Sequence, residues 1–370
     1  MWELTTSDIA ALAIFISYFS LILGLFALIY HSLPTPTKSV KNGTRNYRAY
    51  AFGLLTIGSF AHTWFYMFKF LSWSFVDYES RNIAPSASFL PRLVAWLKDT
   101  QLFEQAWAAV CEHPLNWWWS EQLCIFTVGA WTLFLAIQGR NHSVKRVWAY
   151  MVLGQLVAIS VATNLFFFAL SLAPKQVKVN SAERRSTQYL TRVPLALAFC
   201  VLISLGTVVL SPFTSERTFL PNLLTMHTLI AIPLLPNILN APPSKKQIAT
   251  KTVYTIALVV GVALRLKTTY IAFTILPEET RSIGGFVSAL ITTLYSHPAQ
   301  SSIGWDVIWT SISFLVWIAL GHTPSQAHSP GFRSIIFLPF TALTAALSIG
   351  VSAPIALLSD LPHDIESKSD

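Results

Sequence analysis

The most chemically demanding residue of this sequence is Glu121, a carboxylate just inside a long apolar run. Three consecutive tryptophans, Trp117–Trp119, precede it, and the apolar run continues to Gln138. Tryptophan clusters mark a bilayer interface, and an ionisable side chain within a span costs about 2.5–3.5 kcal/mol, so it normally faces a partner, a cavity or a site. A carboxylic acid in a low-dielectric aromatic pocket can stay protonated near neutral pH and protonate an olefin or an epoxide. Glu121 is therefore the first candidate for a proton donor.

Two further residues complete the candidate catalytic set: Asp306, near the start of a later apolar run, and His62, within the second apolar run. Polar and aromatic groups near helix ends form the candidate substrate-binding set, since aromatic faces stabilise a carbocation. These residues are Trp117, Trp118, Gln122, Tyr66, Asn164 and Trp107. We predict no metal and no cofactor, because the sequence contains no Asp-rich diphosphate motif, no Cys or His pair at metal spacing and no phosphate-binding glycine loop.

Each candidate also has a purely structural interpretation. Glu121 could be an interfacial residue with a structural partner such as Lys69, and Asp306 could only cap its helix. His62 on an aromatic helix is typical of a satisfied core histidine, and Asn164 is typical of an interhelical hydrogen bond. The residues alone leave both interpretations open.

The composition is that of a polytopic membrane protein. Hydrophobic residues make up 53% of the chain and charged residues only 11%, whereas soluble domains carry roughly 25% charged residues. The net charge of +8 reflects a low count of acids, so we expect the lipid bilayer and not nucleic acid as the partner of the basic loops. The three widely spaced cysteines predict no disulfide framework.

Hydropathy predicts an all-α integral membrane bundle of about eight or nine spans. We expect one domain, residues 1–359, followed by a short polar tail, residues 360–370. We detect no internal repeat and no paired broken-helix pattern of the transporter kind. The predicted spans are Ile9–Tyr30, Ala49–Phe70, Trp118–Gln138, Val147–Leu172, Val193–Ser211, Phe219–Leu239, Thr252–Leu276, Ile303–Gly321 and Ile335–Leu358.

The distribution of basic residues gives the orientation of these spans. The first loop, His31–Arg48, is basic and favours a lumenal N-terminus. Strict alternation would then make the basic loop Ala173–Arg192 lumenal as well, against the same rule. We keep the lumenal N-terminus as the prediction.

The longest connection, Leu71–Asn116, contains an amphipathic stretch, Phe89–Cys111. Its apolar residues alternate with charges, which predicts one or two helices lying on the membrane surface. With a lumenal N-terminus this stretch lies at the level of Glu121 and either covers the candidate site or only anchors the loop. A cover would keep water away from a carbocation.

The middle of the chain, residues 89–172, resembles a known family. The residues concerned are Leu102–Trp107, Trp117–Gln122 and Trp148–Ser160. They resemble the fungal multi-span membrane terpene cyclases of meroterpenoid biosynthesis, of the ascofuranone and macrophorin type. The resemblance implies an enzyme of secondary metabolism that cyclises a farnesylated aromatic substrate, usually an epoxide, by protonation and without a metal.

Three hypotheses remain. The first is a metal-free, proton-initiated terpene cyclase, an isomerase- or lyase-like enzyme of the endoplasmic-reticulum membrane acting on a prenylated aromatic compound. The second is a transporter or lipid-binding protein for a hydrophobic metabolite, and the third is a structural membrane subunit without a site. A cavity closed on its far side and lined by Glu121 would favour the enzyme, whereas a path reaching both faces would favour transport.

Overall fold

The computed structural model describes residues 4–34, 43–82, 88–173, 191–239, 246–320 and 330–361. Helices make up 86% of the structure, so the predicted all-α class is confirmed; most of the predicted polar tail lies outside the described residues. The helices are α1 (Thr6–Tyr30), α2 (Gly43–Arg81), α3 (Phe89–Asp99), α4 (Leu102–Cys111), α5 (Pro114–Ile125), α6 (Thr132–Asn141), α7 (Val147–Leu156), α8 (Ile159–Leu172), α9 (Leu195–Leu210), α10 (Glu216–Ala231), α11 (Pro236–Leu239), α12 (Thr250–Thr274), α13 (Ile283–Leu294), α14 (Pro298–Ala319), α15 (Pro330–Ala346) and α16 (Ile349–Ser359).

Within the described ranges, five helical stretches are long and apolar enough to cross a membrane: α1, α5 through α6, α9 with the 3₁₀ turn after it, α12 and α14. The stretch from α5 to α6 is 94% buried over its most apolar window, whereas α1 is 17% buried. The first is therefore the central helix of the bundle, and α1 is a peripheral one. A short π-helical segment, Phe126–Trp131, joins α5 to α6.

The bundle has two distinguishable ends. At the end where α5 and α14 begin, the Asn116 amide donates to Gln300 Oε1 over 3.0 Å; we call this the cavity end. At the opposite end, Arg140 Nη1 donates to the Leu239 carbonyl over 2.7 Å. The two short strands β1 (Arg192–Pro194) and β2 (Gln247–Ala249) pair antiparallel at the starts of α9 and α12.

The predicted fourth span, Val147–Leu172, is not one continuous helix. It consists of α7 and α8, which turn back on each other at Val157–Ala158. The rings of Tyr150 and Phe166 have centroids 5.2 Å apart, whereas a straight helix would separate residues sixteen positions apart by about 24 Å. The segment is a helical hairpin that enters from the opposite end and has its tip inside the bundle.

The predicted ninth span is broken in the same way. Helices α15 and α16 meet at Leu347–Ser348, and Thr344 Oγ1 donates to Ser352 Oγ over 2.7 Å. Residues eight positions apart in a straight helix would be about 12 Å apart. This second hairpin also has its tip inside the bundle. The expectation of no paired, broken helices is therefore wrong.

The two hairpins occupy equivalent places in the chain. Each follows a long helical stretch, α5 through α6 for the first hairpin and α14 for the second. Each stretch begins at a His-Pro pair and carries a buried acid about two turns further on. A short helix, α4 or α13, precedes each stretch. The equivalent residues are His113, Pro114 and Glu121 for α5, and His297, Pro298 and Asp306 for α14. The same order of elements, a short helix, a long helix and a hairpin, thus occurs twice along the described chain, although no repeat is evident in the sequence.

Candidate functional site

A large, mainly apolar cavity lies at the cavity end of the bundle. Its volume is about 1130 Å³, which is large enough for a ligand of roughly drug size or more. Residues from α1, α2, α4, α5, α10 and α14 line it, together with the tip of the α7–α8 hairpin. The aromatic side chains on its wall are Phe15, Tyr18, Phe19, Phe70, Phe103 and Trp107.

The cavity has a partly exposed mouth, lined by both polar and apolar residues, and a buried, mainly apolar interior. The exposed lining residues, among them Ser7, Gln101 and Arg217, come from the beginning of α1, the α3–α4 connection and the beginning of α10. The buried lining residues, among them Leu123 and Val157, come from α5 and the hairpin tip. A bound molecule would therefore enter between α1 and α10 and reach the tip of the hairpin.

Beyond the cavity the bundle is filled by aromatic side chains. The last lining residue of the central helix is Val128, and one turn further on Trp131 is buried against Phe134 and Phe167. Phe167 in turn stacks on Trp317 with centroids 4.3 Å apart. Among the described residues, this aromatic packing separates the cavity from the opposite end.

Asp306 is the buried carboxylate on the cavity wall. Its Oδ2 accepts the Ile159 N–H over 2.9 Å and its Oδ1 accepts the Ser160 N–H over 2.7 Å. These two groups are at the N-terminus of α8, where backbone donors have no partner within the helix and the helix dipole favours a negative charge. The structural interpretation, that Asp306 only caps its own helix, is wrong: Asp306 lies within α14 and caps α8, which belongs to a hairpin far away in sequence. Because it also lines the cavity, the capping carboxylate lies where a bound molecule can reach it.

The hairpin tip is held between α1 and α10. The Tyr18 hydroxyl donates to the Leu156 carbonyl over 2.7 Å, and the Gln155 amide donates to the His227 carbonyl over 3.0 Å. The first bond satisfies a carbonyl that the break between α7 and α8 leaves without its helical donor, because the Ser160 N–H binds Asp306. Contacts from α1, α10 and α14 therefore hold the hairpin tip, and with it the two N–H groups that bind Asp306.

The amphipathic stretch Phe89–Cys111 forms two helices, α3 and α4, that cover part of the cavity. Residues of α4, Trp107 among them, line the cavity, while Trp96 of α3 is buried and donates to Ser74 Oγ over 3.1 Å. Lys98 forms an ion pair with Asp8 of α1 at 2.9 Å. These contacts attach the two helices to both α1 and α2.

The end of α3 is attached to α2 beyond the predicted second span. The Tyr78 hydroxyl donates to Asp99 Oδ2 over 2.5 Å, and this hydrogen bond raises the pKa of Tyr78 to about 12. Arg92, about two turns before Asp99 on α3, forms an ion pair with Glu79, the residue next to Tyr78 on α2. The covering helices are therefore docked by several polar contacts as well as by apolar packing.

Glu121 does not line this cavity. It is buried and forms an ion pair with Arg265, with Oε2 and Nη1 3.1 Å apart. Arg265 also donates to the Trp118 carbonyl over 2.8 Å, to the Leu347 carbonyl at the tip of the second hairpin, and lies 3.9 Å from the centroid of a Trp118 ring. The structural partner of Glu121 is thus Arg265 and not Lys69, which lies over the Phe65 ring.

The other predicted site residues divide into two groups. Trp107 and Asp306 lie on the cavity, whereas His62, Tyr66, Trp117, Trp118, Gln122 and Asn164 do not. His62 packs on Trp305 at the interface of α2 and α14, with centroids 4.1 Å apart, and stacks on Tyr66. Gln122 donates to the Trp118 carbonyl over 3.1 Å, and Asn164 lies 3.4 Å from Ser59 Oγ.

Sequence reasoning missed His227, Gln155 and Tyr18 as residues of the cavity. His227 and Gln155 stand out as polar residues in apolar runs, but hydropathy does not tell which helix faces which. Within the described residues, no group of three or more His, Cys, Asp and Glu side chains could hold a metal ion. Asp306 and His227, which both line the cavity, are side chains capable of proton transfer.

No protein-family model, curated protein or solved structure matches this chain. The functional interpretation therefore rests on the geometry of the cavity and of its polar groups.

Proposed function

We propose that this protein is an integral membrane terpene cyclase of the endoplasmic reticulum that performs a metal-independent, proton-initiated cyclisation of a prenylated aromatic substrate. The observation that carries the proposal is an apolar cavity of about 1130 Å³ with the buried carboxyl group of Asp306 on its wall. An apolar chain fills such a space favourably, and an acid is the one group needed to start the reaction.

Asp306 takes the role of proton donor in this proposal, in place of Glu121. The acid delivers its proton to an olefinic carbon or to an epoxide oxygen, and a carbocation forms on the substrate. The Ile159 and Ser160 N–H groups stabilise the carboxylate that remains, because they are fixed donors at a helix N-terminus. Glu121 lacks this role since its carboxylate is neutralised by Arg265.

The cavity wall supports the later steps. Aromatic faces such as those of Trp107 and Phe70 attract a carbocation through their quadrupoles. Helices α3 and α4 cover part of the cavity and limit access of water, which would quench the cation to an alcohol. The interior of the cavity could not hold a strongly hydrated substrate, since most of its lining offers no hydrogen-bonding partner.

The two hairpins give the proposed membrane topology. If both are re-entrant, the chain crosses about seven times, with the cavity mouth and the N-terminus on one side. The connection between α8 and β1 then begins and ends at the opposite end, with the other basic connections. The basic residues of these connections are Lys38, Lys41, Arg45, Arg48, Arg140, Lys145, Arg146, Lys175, Lys178, Arg184, Arg185, Arg192, Lys245 and Lys246.

This topology removes the conflict in the sequence prediction. All of those connections become cytoplasmic, as the positive-inside rule requires, and the N-terminus becomes lumenal. The irregular backbone at each hairpin tip is surrounded by protein, which is the condition under which such backbone is tolerated at membrane depth.

The test is turnover by membranes that contain the protein. They are incubated with a farnesylated aromatic compound and with its terminal epoxide, and mass spectrometry searches for a product of unchanged mass. We expect Asp306→Asn to lower turnover by about 10²–10⁴-fold, and Glu121→Gln to retain turnover per folded molecule. Turnover lost in Glu121→Gln and kept in Asp306→Asn would return the donor role to Glu121. A wild-type protein that converts neither substrate contradicts the proposal.

One observation favours a second candidate, a transporter of a hydrophobic metabolite. Paired helix breaks inside a bundle, each with a charged group at its tip, are typical of transporters. The aromatic packing around Trp131 and Trp317 weighs against it, because it separates the cavity from the opposite end. Substrate accumulation in proteoliposomes without chemical change would favour transport.

A further inference from the structure

We propose that His227 is the base that ends the reaction, by accepting the proton that the final carbocation loses. This inference rests on the proposed function and adds to it the second proton-transfer group. A cyclisation that is an isomerisation needs both an acid and a base, because the proton added at the first step must be removed from another carbon at the last. Asp306 supplies the first step.

The hydrogen bonding of His227 fixes its tautomer. Nδ1 lies 2.7 Å from the Leu223 carbonyl oxygen, one turn earlier in α10. A carbonyl oxygen only accepts, so Nδ1 carries the hydrogen and Nε2 is left with a lone pair. A neutral imidazole with a free Nε2 is a proton acceptor, and the Leu223 carbonyl stabilises the imidazolium that forms.

The position of His227 matches that role. Its side chain is on the cavity wall, and its own carbonyl accepts the Gln155 amide at the end of α7. Four residues after Gln155, the Ile159 N–H binds Asp306. His227 and Asp306 therefore lie on two sides of the same hairpin tip, and one substrate lying across that tip can contact both.

The aromatic surroundings place a cation beside this base. The Trp107 ring lies edge-on to His227, with centroids 5.7 Å apart. A carbocation attracted to the Trp107 face has the imidazole as a near neighbour. Trp107 is thus assigned to hold the cation where His227 can remove a proton.

The other titratable residues of the wall are poorer acceptors. Lys98 and Arg217 are cations, and the Tyr18 hydroxyl donates to the Leu156 carbonyl. Glu104 is a carboxylate at the partly exposed mouth, beside Gln101 and Phe103. The thiol of Cys124 is only a weak acceptor. His227 is the neutral acceptor of this wall that lies in ring contact with Trp107, whereas Asp306 is bound at both oxygens by the N–H groups of the hairpin tip.

The proposed step is balanced. A C–H bond next to the cationic carbon breaks, its electron pair becomes the new C=C bond, and the proton moves to Nε2 of His227. The product is an olefin with the mass of the substrate. His227 then releases the proton through the mouth of the cavity, and Asp306 takes one up for the next cycle.

The experiment compares His227→Phe, His227→Ala and a neighbouring control, Thr228→Val, which is exposed on the same helix. The readout is the ratio of the wild-type olefin to its double-bond isomers and to the hydrated alcohol. We expect both His227 variants to lower the share of the wild-type olefin by about tenfold or more, since a positioned base contributes about 10²–10⁴-fold. Thr228→Val should keep the wild-type ratio.

Added imidazole makes the test specific for a base. It should restore the wild-type olefin in His227→Ala, where truncation leaves space, and not in His227→Phe. An unchanged product ratio in both variants overturns the inference, and so does a His227→Ala protein that imidazole does not rescue. A wild-type product that has gained one water, and is not isomeric with its substrate, also overturns it. Failure of the wild type to convert any prenylated substrate is a different result, and it contradicts the proposed function itself.

Discussion

Glu121 and Arg265 form an ion pair that is sealed from solvent on both sides, with Oε2 and Nη1 3.1 Å apart and side chains that are 0% and 2% exposed. The pair joins the central helix to α12, and through the Leu347 carbonyl it also holds the second hairpin tip. Asp306 likewise binds the first hairpin tip, but its partners are the Ile159 and Ser160 N–H groups and not a cation. The two acids at equivalent places in the chain therefore differ in position: Asp306 lines the cavity, whereas Glu121 does not.

The ion pair predicts a stability coupling between Glu121 and Arg265. Arg265→Met leaves a buried carboxylate without its cation, and breaking such a pair costs about 3–5 kcal/mol. Glu121→Gln in the Arg265→Met background should recover part of that loss, because it removes the uncompensated charge. Thermal unfolding of the single and double variants in detergent measures the coupling. Strictly additive effects would show that the pair is not the source of the stability.

The two tryptophans of the covering helices should behave differently. Trp107→Ala removes a cavity wall and should raise the share of hydrated or partly cyclised products, since water can reach the cation. Trp96→Ala removes a buried side chain and its bond to Ser74, and should lower stability by about 3–5 kcal/mol without changing the product ratio. Mass spectrometry and thermal unfolding together separate the two effects. An unchanged product ratio in Trp107→Ala would mean that α4 only anchors the loop.

The second hairpin needs a residue without a side chain at Gly350. A Cβ there would lie 3.0 Å from Ile125 Cβ and 3.3 Å from the Gln122 carbonyl oxygen, so Gly350→Ala should destabilise the protein by about 1–3 kcal/mol. Gly206 in α9 is the control, because an added Cβ meets no described atom within 4 Å. Gly206→Ala should be neutral or stabilising by up to about 1 kcal/mol. Equal melting temperatures for the two variants would contradict the close packing of the hairpin.

The proposed topology predicts where an added glycosylation sequon is modified. A sequon placed ahead of α1 should be glycosylated, and one placed between Ala173 and Arg192 should not be. A shift in mobility that is removed by endoglycosidase reports each result. Modification between α8 and β1 would show that Val147–Leu172 crosses the membrane fully, and that the hairpin is not re-entrant.

Turnover should not require a divalent metal. The sequence contains no Asp-rich motif of the kind that binds magnesium diphosphate, and a proton opens an epoxide without help. We expect EDTA to leave the rate of product formation within about twofold, since the initiating step is general acid catalysis. Activity that disappears with EDTA and returns with magnesium would contradict the acid-initiated mechanism.

The sequence by itself determined the helical class and indicated which residues are candidates for a functional role. Apolar runs separated by short basic segments predict helices with membrane-spanning composition, because hydropathy is a local property. The same local property marks Glu121 and Asp306, which are carboxylates within apolar runs. It also marks the stretch Phe89–Cys111, whose apolar residues alternate with charged ones. Of the predicted site residues, Trp107 and Asp306 line the cavity, and their roles there stay predictions.

Tertiary structure decided which acid faces the cavity and where the helices break. Neither Gly nor Pro occupies the turn at Val157–Ala158 or at Leu347–Ser348, so no local signal marks the hairpins. The break before Ile159 is stabilised by Asp306, and the tip at Leu347 by Arg265. In both cases the group that satisfies the freed backbone is remote in sequence. Only the folded chain shows that Arg265 forms an ion pair with Glu121 and that Asp306 lines the cavity.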